Sequence, residues 1–186
     1  MNTTMDITFT IGIGTITWRE HANHPVVHIS WYAAVAYSQW VGKRLPTEAE
    51  WEKAARGGLV GKKYPWGDLI DSTKANFDRN IGTTTVVGKY PPNEYDVFDL
   101  TGNVSEWCID EWDREFYISS ESYNPVSGGS IDSITKDFTK SKTSRVIRGG
   151  SWYSAEHKAR VSNRDGLTPW ITNRIIGFRC VKPITT

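Results

Sequence analysis

Asp99-Leu100-Thr101-Gly102-Asn103-Val104-Ser105-Glu106 places two carboxylates and several carbonyls in a glycine-containing turn. Such hard oxygen donors suit a divalent cation like calcium. They equally suit a loop closed by carboxylate-to-backbone hydrogen bonds, and spacing alone leaves both readings open. Asn76 and Asp78 form a second, sparser candidate in a similar polar turn. His21, His24 and His28 are of metal-ligating type, but Pro25 and the extended segment after it prevent one helical face from collecting them. They read as hydrogen-bonded or solvent-facing imidazoles. His157 is the only other histidine. No serine sits in a Gly-x-Ser-x-Gly elbow and no cysteine has a histidine close in sequence. Neither a phosphate-cradling P-loop nor a dinucleotide fingerprint occurs. Acyl transfer and nucleotide-dependent chemistry are therefore not indicated.

The elements that must hold these groups announce themselves unevenly. Thr47 and Glu50 form a Thr-x-x-Glu capping box, and Gly57 offers a left-handed stop, so a helix is predicted over 48–56. Ser30 caps an earlier helix in which Ala33, Ala34, Tyr37 and Trp40 or Val41 recur at helical spacing, ended by Gly42. Ile7, Phe9, Ile11 and Ile13 alternate with small or polar residues, the period of a short strand at a sheet edge. Arg145 to Ile147 and Ile175 to Val181 read as extended segments, and Gly149-Gly150 permits close backbone approach between them. From Gly57 to Pro92 turn residues dominate, predicting loops. Residues 113–144 are polar and too long for an ordinary connection, so they read as a surface insertion.

The 186 residues suit a single domain, 1–186. Lysine plus arginine total 22 against 21 acidic residues, which excludes nucleic-acid binding by bulk charge. Nine tryptophans, eight tyrosines and six phenylalanines predict an aromatic core whose polar edges need partners. Cys108 and Cys180 are the only cysteines, two buried thiols or one bridge. The apolar stretch Ile29 to Tyr37 is far short of the roughly 18 residues that span a bilayer. The first residues lack the basic start and apolar block of a secretory leader. A soluble protein without membrane insertion is expected; its cellular location is not encoded.

Several stretches occur in the order found in the formylglycine-generating enzymes, the sulfatase-modifying-factor domain. They are His24-Pro25-Val26-Val27-His28-Ile29-Ser30-Trp31, then Gly42-Lys43-Arg44-Leu45-Pro46-Thr47-Glu48-Ala49-Glu50-Trp51, then Tyr64-Pro65-Trp66-Gly67-Asp68 with Ala75-Asn76. Thr101-Gly102-Asn103-Val104-Ser105-Glu106-Trp107, Arg145-Val146-Ile147-Arg148-Gly149-Gly150-Ser151-Trp152 and Gly177-Phe178-Arg179-Cys180 complete them. The chain resembles that family over residues 24 to 182. The resemblance implies an α+β, C-type-lectin-like fold: two helices packed on small twisted antiparallel sheets with much irregular loop. It implies a calcium ion held by the Asp99 and Glu106 side chains and the Gly102 and Val104 carbonyls. A second calcium would use Asn76 and the Phe77 carbonyl, although the loop after them is shortened.

Active members of the family oxidise a substrate cysteine with copper held by two cysteines after the Gly-Gly-Ser motif. Here Ser154 stands at the first position and Ala159 or a neighbour at the second. Copper(I) selects soft thiolates, so no copper is expected and catalysis is not. The C-terminal frame also resembles the variable proteins of diversity-generating retroelements, which display a changeable binding surface. Residues 145–182 are then a variable ligand-binding region. Tyr153, Ser154, Glu156, His157, Asn163, Asp165, Trp170, Thr172 and Asn173 would meet a protein or other cell-surface ligand; the alternative is that they are solvated loop residues. Arg148, Arg160, Arg164 and Arg179 are expected to brace the scaffold. Competing readings are a metal-dependent oxidase of the formylglycine-generating or sulfoxide-synthase type, and a regulatory module of a larger protein.

Overall fold

A computed structural model describes residues 9–10, 15–16 and 21–182 of the chain. β1 (Phe9–Thr10) and β2 (Thr15–Ile16) pair antiparallel with each other as a small separate sheet. The strand expected through Ile7, Ile11 and Ile13 is described only at Phe9–Thr10; those three isoleucines lie outside the described residues. α1 (Trp31–Trp40) begins at Ser30, whose hydroxyl accepts from the Ala33 amide. α2 (Glu48–Arg56) carries both halves of the Thr47–Glu50 capping box and stops at Gly57 in the left-handed region. Both helices start where the caps required.

The main sheet contains β3 (Ser105–Glu111), β4 (Arg145–Arg148), β5 (Asp165–Leu167) and β6 (Ile176–Phe178), in the order β5-β4-β3-β6. It is mixed rather than wholly antiparallel, because β6 runs parallel to β3. The cause is topological. β5 and β6 point the same way on opposite edges, so residues 168–175 must carry the chain across the sheet as a crossover. Its backbone is pinned where the Trp31 amide donates to the Pro169 carbonyl at 3.0 Å and the His28 amide to the Asn173 carbonyl at 2.9 Å.

Helices cover both faces of the sheet, which explains why β3 is buried over six of its seven residues. Trp107 and Ile109 face one way and join Trp31, Ala34, Val35, Leu45, Ile147 and Ile176. Cys108 faces the other way and joins Trp51, Ala55, Leu100, Val146 and Val161. Period-two alternation puts Glu106 and Asp110 on the same face as Cys108, toward α2. The aromatic edges find partners as expected: Trp31 Nε1 donates to the Cys108 carbonyl, Trp107 Nε1 to that of Ile29, and Trp66 Nε1 to that of Pro92. Both cysteines are free, and burial raises both thiol pKa values.

Residues 113–144 contain α3 (Phe116–Ser119) and α4 (Ile131–Lys136). They lie mostly at the surface but are tied inward, because Ile134, Val126 and Phe138 pack on the α1 side of the core. The Ser127 amide donates to Asp110 at 3.0 Å, and the Glu48 amide donates to the same carboxylate at 2.8 Å. Burial nevertheless pushes the Asp110 pKa up from 3.8 to about 6, with Glu48 adding repulsion. A carboxyl whose folded pKa is raised contributes stability that is complete below about pH 4 and lost as pH rises through about 6. Relative to Asp110→Asn, the natural protein should thus lose roughly 3 kcal/mol of stability between pH 4 and 7. Urea unfolding of both proteins at several pH values checks this; a constant difference across that range contradicts it.

Candidate functional site

The braces come first, because they fix the face on which the candidate ligand residues stand. Arg148 is fully buried and donates from Nη1 to Glu48 at 2.5 Å, and from Nη2 to Glu52 and the Val161 carbonyl, each at 2.5 Å. Arg164 grips both oxygens of Glu48 at 2.7 and 2.8 Å, its guanidinium 5.0 Å from the Trp112 ring centroid and 4.6 Å from that of Tyr117. Arg179 forks onto Glu106 at 2.5 and 2.7 Å, tying β6 to β3. Arg160 donates to the His157 carbonyl. All four expected arginines are held by carboxylates or carbonyls.

Ser154, Asn163, Asp165 and Asn173 gather around a cavity of about 290 Å³ with Lys158 and Ile171. Its apolar walls include Ile147 on β4, Leu167 on β5, and Ile175 and Ile176 at the start of β6. Lys158 and Asp165 approach to 3.4 Å. Arg148 also contributes to the wall, and its Nε–H has no hydrogen-bond partner. A ligand group entering here meets an apolar wall and a polar rim. Trp170, 55% exposed, and Thr172 stand on the crossover beside it.

Three expected contact residues are placed differently. Tyr153 is 44% exposed, with its ring against Trp152 and the Arg79 guanidinium 3.9 Å from its centroid. Glu156 turns back to accept from the Tyr64 hydroxyl at 2.9 Å, so its carboxylate serves the scaffold. Burial and that acid together push the Tyr64 pKa up to about 12. His157 is exposed and does not line the cavity. Lys158 and Ile171 were missed, although both lie among residues singled out from sequence. Their signal was position in the same two loops.

Where the resemblance puts the copper thiols, Ser154 hydrogen-bonds the Ser151 amide and hydroxyl at 3.0 and 3.1 Å, and Ala159 is fully buried. Cys108 is sealed between β3 and α2, while Cys180 is half-buried near Lys43. These residues do not fit copper(I).

Calcium is a different case. Burial first, then repulsion from Glu106, raises the Asp99 pKa against the pull of the Gly88 amide and Arg179. Among the described residues Asp99 has no ion-pair partner within 4.0 Å, although Arg179 neutralises Glu106. Asp99, a partly buried carboxylate that accepts from the Gly88 amide at 2.6 Å, suits a divalent cation in donor type, while both Glu106 oxygens already accept from Arg179 and one also from Trp51 Nε1. At the second place the Asn76 Oδ1 is buried without a partner, while its Nδ2 donates to the Thr83 carbonyl. The Phe77 carbonyl accepts from the Asn80 amide. That donor pair is neutral and fits calcium less well. His21 and His24 stack edge to face at 4.8 Å, and His24 bonds Thr84. Among the described residues no three His, Cys, Asp or Glu side chains are grouped to hold a metal.

This combination of a helix-covered mixed sheet, arginine braces and an irregular C-terminal face defines the class. The model of the sulfatase-modifying factor enzyme 1-like domain matches residues 4–184, and the chain belongs to that family. It is 42% identical over 164 residues to a serine/threonine-protein kinase pkn1 of Chlamydia pneumoniae, covering 88% of this chain and 25% of the kinase. It is 38% identical over 179 residues to the inactive C-alpha-formylglycine-generating enzyme 2 of Bos taurus, covering 87% of this chain and 51% of that protein. The chain thus spans a quarter to a half of these curated relatives. The fold is shared with Treponema denticola variable protein 1 at a TM-score of 0.68 and 24% identity, over 87% of this chain and 72% of that one. No helix among the described residues is long and apolar enough to cross a membrane.

Proposed function

We propose that this chain is a non-catalytic ligand-binding domain of the retroelement-diversified kind, which meets a protein or other cell-surface ligand through its C-terminal face. One observation carries the reading. At the place of the family's copper thiols, Ser154 and its neighbours frame a polar-rimmed, apolar-walled cavity beside the exposed crossover bearing Trp170. Rigid aromatic area with adaptable small polar groups is the composition of binding loops. The kinase relative favours a second reading in detail: the same face would then act as the recognition module of a longer protein. Coding sequence adjoining this chain distinguishes the two; a reverse transcriptase and a near-copy of the 3′ repeat favour the first, a fused kinase domain the second.

The test is a partner captured from envelope extracts, identified, and measured by calorimetry against the natural protein and Tyr153→Ala/Trp170→Ala. Binding lost in the double variant supports the proposal; equal binding by both opposes it.

Calcium would be held by Asp99, Glu106 and the Gly102 and Val104 carbonyls, supplying positive charge that stabilises this turn. At a hundredfold excess over its dissociation constant, it should add about 2.7 kcal/mol. For a chain this size that raises the melting temperature by roughly 5–10 °C. Asp99→Asn should remove most of the rise. Identical melting in calcium and in chelator contradicts the calcium assignment.

A further inference from the structure

The outer face of α2 borders a groove of about 420 Å³ that shares no lining residue with the cavity around Ser154. Ala49, Glu52, Lys53 and Arg56 line it at helical spacing, with Gly58, Leu59 and Val60 beyond the helix end. Tyr95, which packs near Gly58, and Tyr117 with Arg164 against its ring complete the lining. Tyr95 and Tyr117 are both exposed, and Val60 is 92% exposed. Tyr117 packs against Arg164 and Phe116 but keeps exposed area, and exposed aromatic side chains beside open aliphatic surface are the composition of interface anchors.

The charges along this wall do not cancel. Arg56 and Arg148 share Glu52, and Arg148 and Arg164 share Glu48. Lys53 is exposed and has no ion-pair partner among the described residues. Along the groove itself Lys53, Arg56 and Arg164 stand against Glu52, while the fully buried Arg148–Glu48 pair lies behind them. Asp110, behind the start of α2, offsets one cation when ionised. Glu94, Asp96 and Glu115 are near in sequence to the two tyrosines but do not line the groove. The surplus is positive and lies beside apolar surface.

We infer that this groove binds an extended acidic peptide segment with aromatic or aliphatic side chains. The nine residues of α2 run about 13 Å, the length of about four extended residues. Alternating side chains would set apolar groups on Leu59, Val60 and the tyrosines, and carboxylates toward Lys53 and Arg56.

The experiment uses the whole chain and a fluorescein-labelled hexapeptide of alternating phenylalanine and glutamate, read by anisotropy. Saturable binding that weakens with salt is expected. Lys53→Glu and Val60→Asp should each weaken it at least tenfold, whereas Trp170→Ala leaves it unchanged. Both altered positions are exposed, so an unshifted melting temperature verifies folding, and either variant alone suffices. Absence of binding overturns the inference, as does equal binding of the lysine-for-glutamate peptide or indifference to both variants. Equal binding to phosphatidylserine vesicles overturns it too, as a general response to negative charge. Since Trp170 is outside this groove, failure here leaves the C-terminal face untouched.

Discussion

Replacing Glu48 with alanine should lower unfolding free energy by about 3–5 kcal/mol, the usual result of breaking a buried ion pair from one side. Glu48 has no exposed surface and accepts from both Arg148 and Arg164. Without it Arg148 keeps only Glu52 and the Val161 carbonyl, and Arg164 keeps only the Arg114 carbonyl. The uncompensated guanidinium, rather than the lost attraction itself, dominates the cost. Glu48→Gln preserves volume and one acceptor, so it should fall between. Chemical denaturation followed by tryptophan fluorescence measures both; a loss below about 1 kcal/mol for the alanine variant would show that the network does not hold α2 to β4.

Trp170→Ala should weaken an identified partner at least thirtyfold, about 2 kcal/mol, the threshold of an interface hot spot. Its ring is 55% exposed and its indole N–H makes no hydrogen bond among the described residues, so the melting temperature should stay within a few degrees. The contrast with Glu48 is the useful part. One residue maintains the scaffold without touching a ligand; the other would touch a ligand without maintaining the scaffold. Calorimetry with parallel thermal melts separates them, and a Trp170 variant that loses stability and affinity together would place it in the core's service instead.

How much was readable in advance followed the range of the forces involved. α2 was fully legible because Thr47, Glu50 and Gly57 fix its ends through contacts within a turn or two. The bracing role of Arg148, Arg164 and Arg179 was legible from guanidinium chemistry, but their partners were not. Glu48 lies 100 positions from Arg148 and 116 from Arg164, so only the assembled sheet pairs them. The parallel placement of β6 was hidden for the same reason: strand direction is set by the crossover's path, not by local pattern. Glu156 looked like a free contact residue because Tyr64, its partner, is 92 positions away. Four of the expected contact residues do share one cavity, since the Gly149-Gly150 turn and crossover bring their loops together. Gly150 is required there: an added Cβ would lie 3.0 Å from the Lys158 carbonyl and 3.2 Å from Ala159 Cα, at φ of +67°. Tyr95 and Tyr117 gave no advance sign of a shared groove, because the insertion supplies one and a loop the other.

On the proposed reading this scaffold displays side chains at the place where the resemblance puts the copper thiols. The most direct measurement incubates the purified chain with copper(I), oxygen and a sulfatase-type cysteine peptide, then reads aldehyde formation by mass spectrometry. With Ser154 and Ala159 in place of thiols, the peptide should be recovered with its cysteine intact. Turnover of cysteine to formylglycine above the copper-only control would contradict the account.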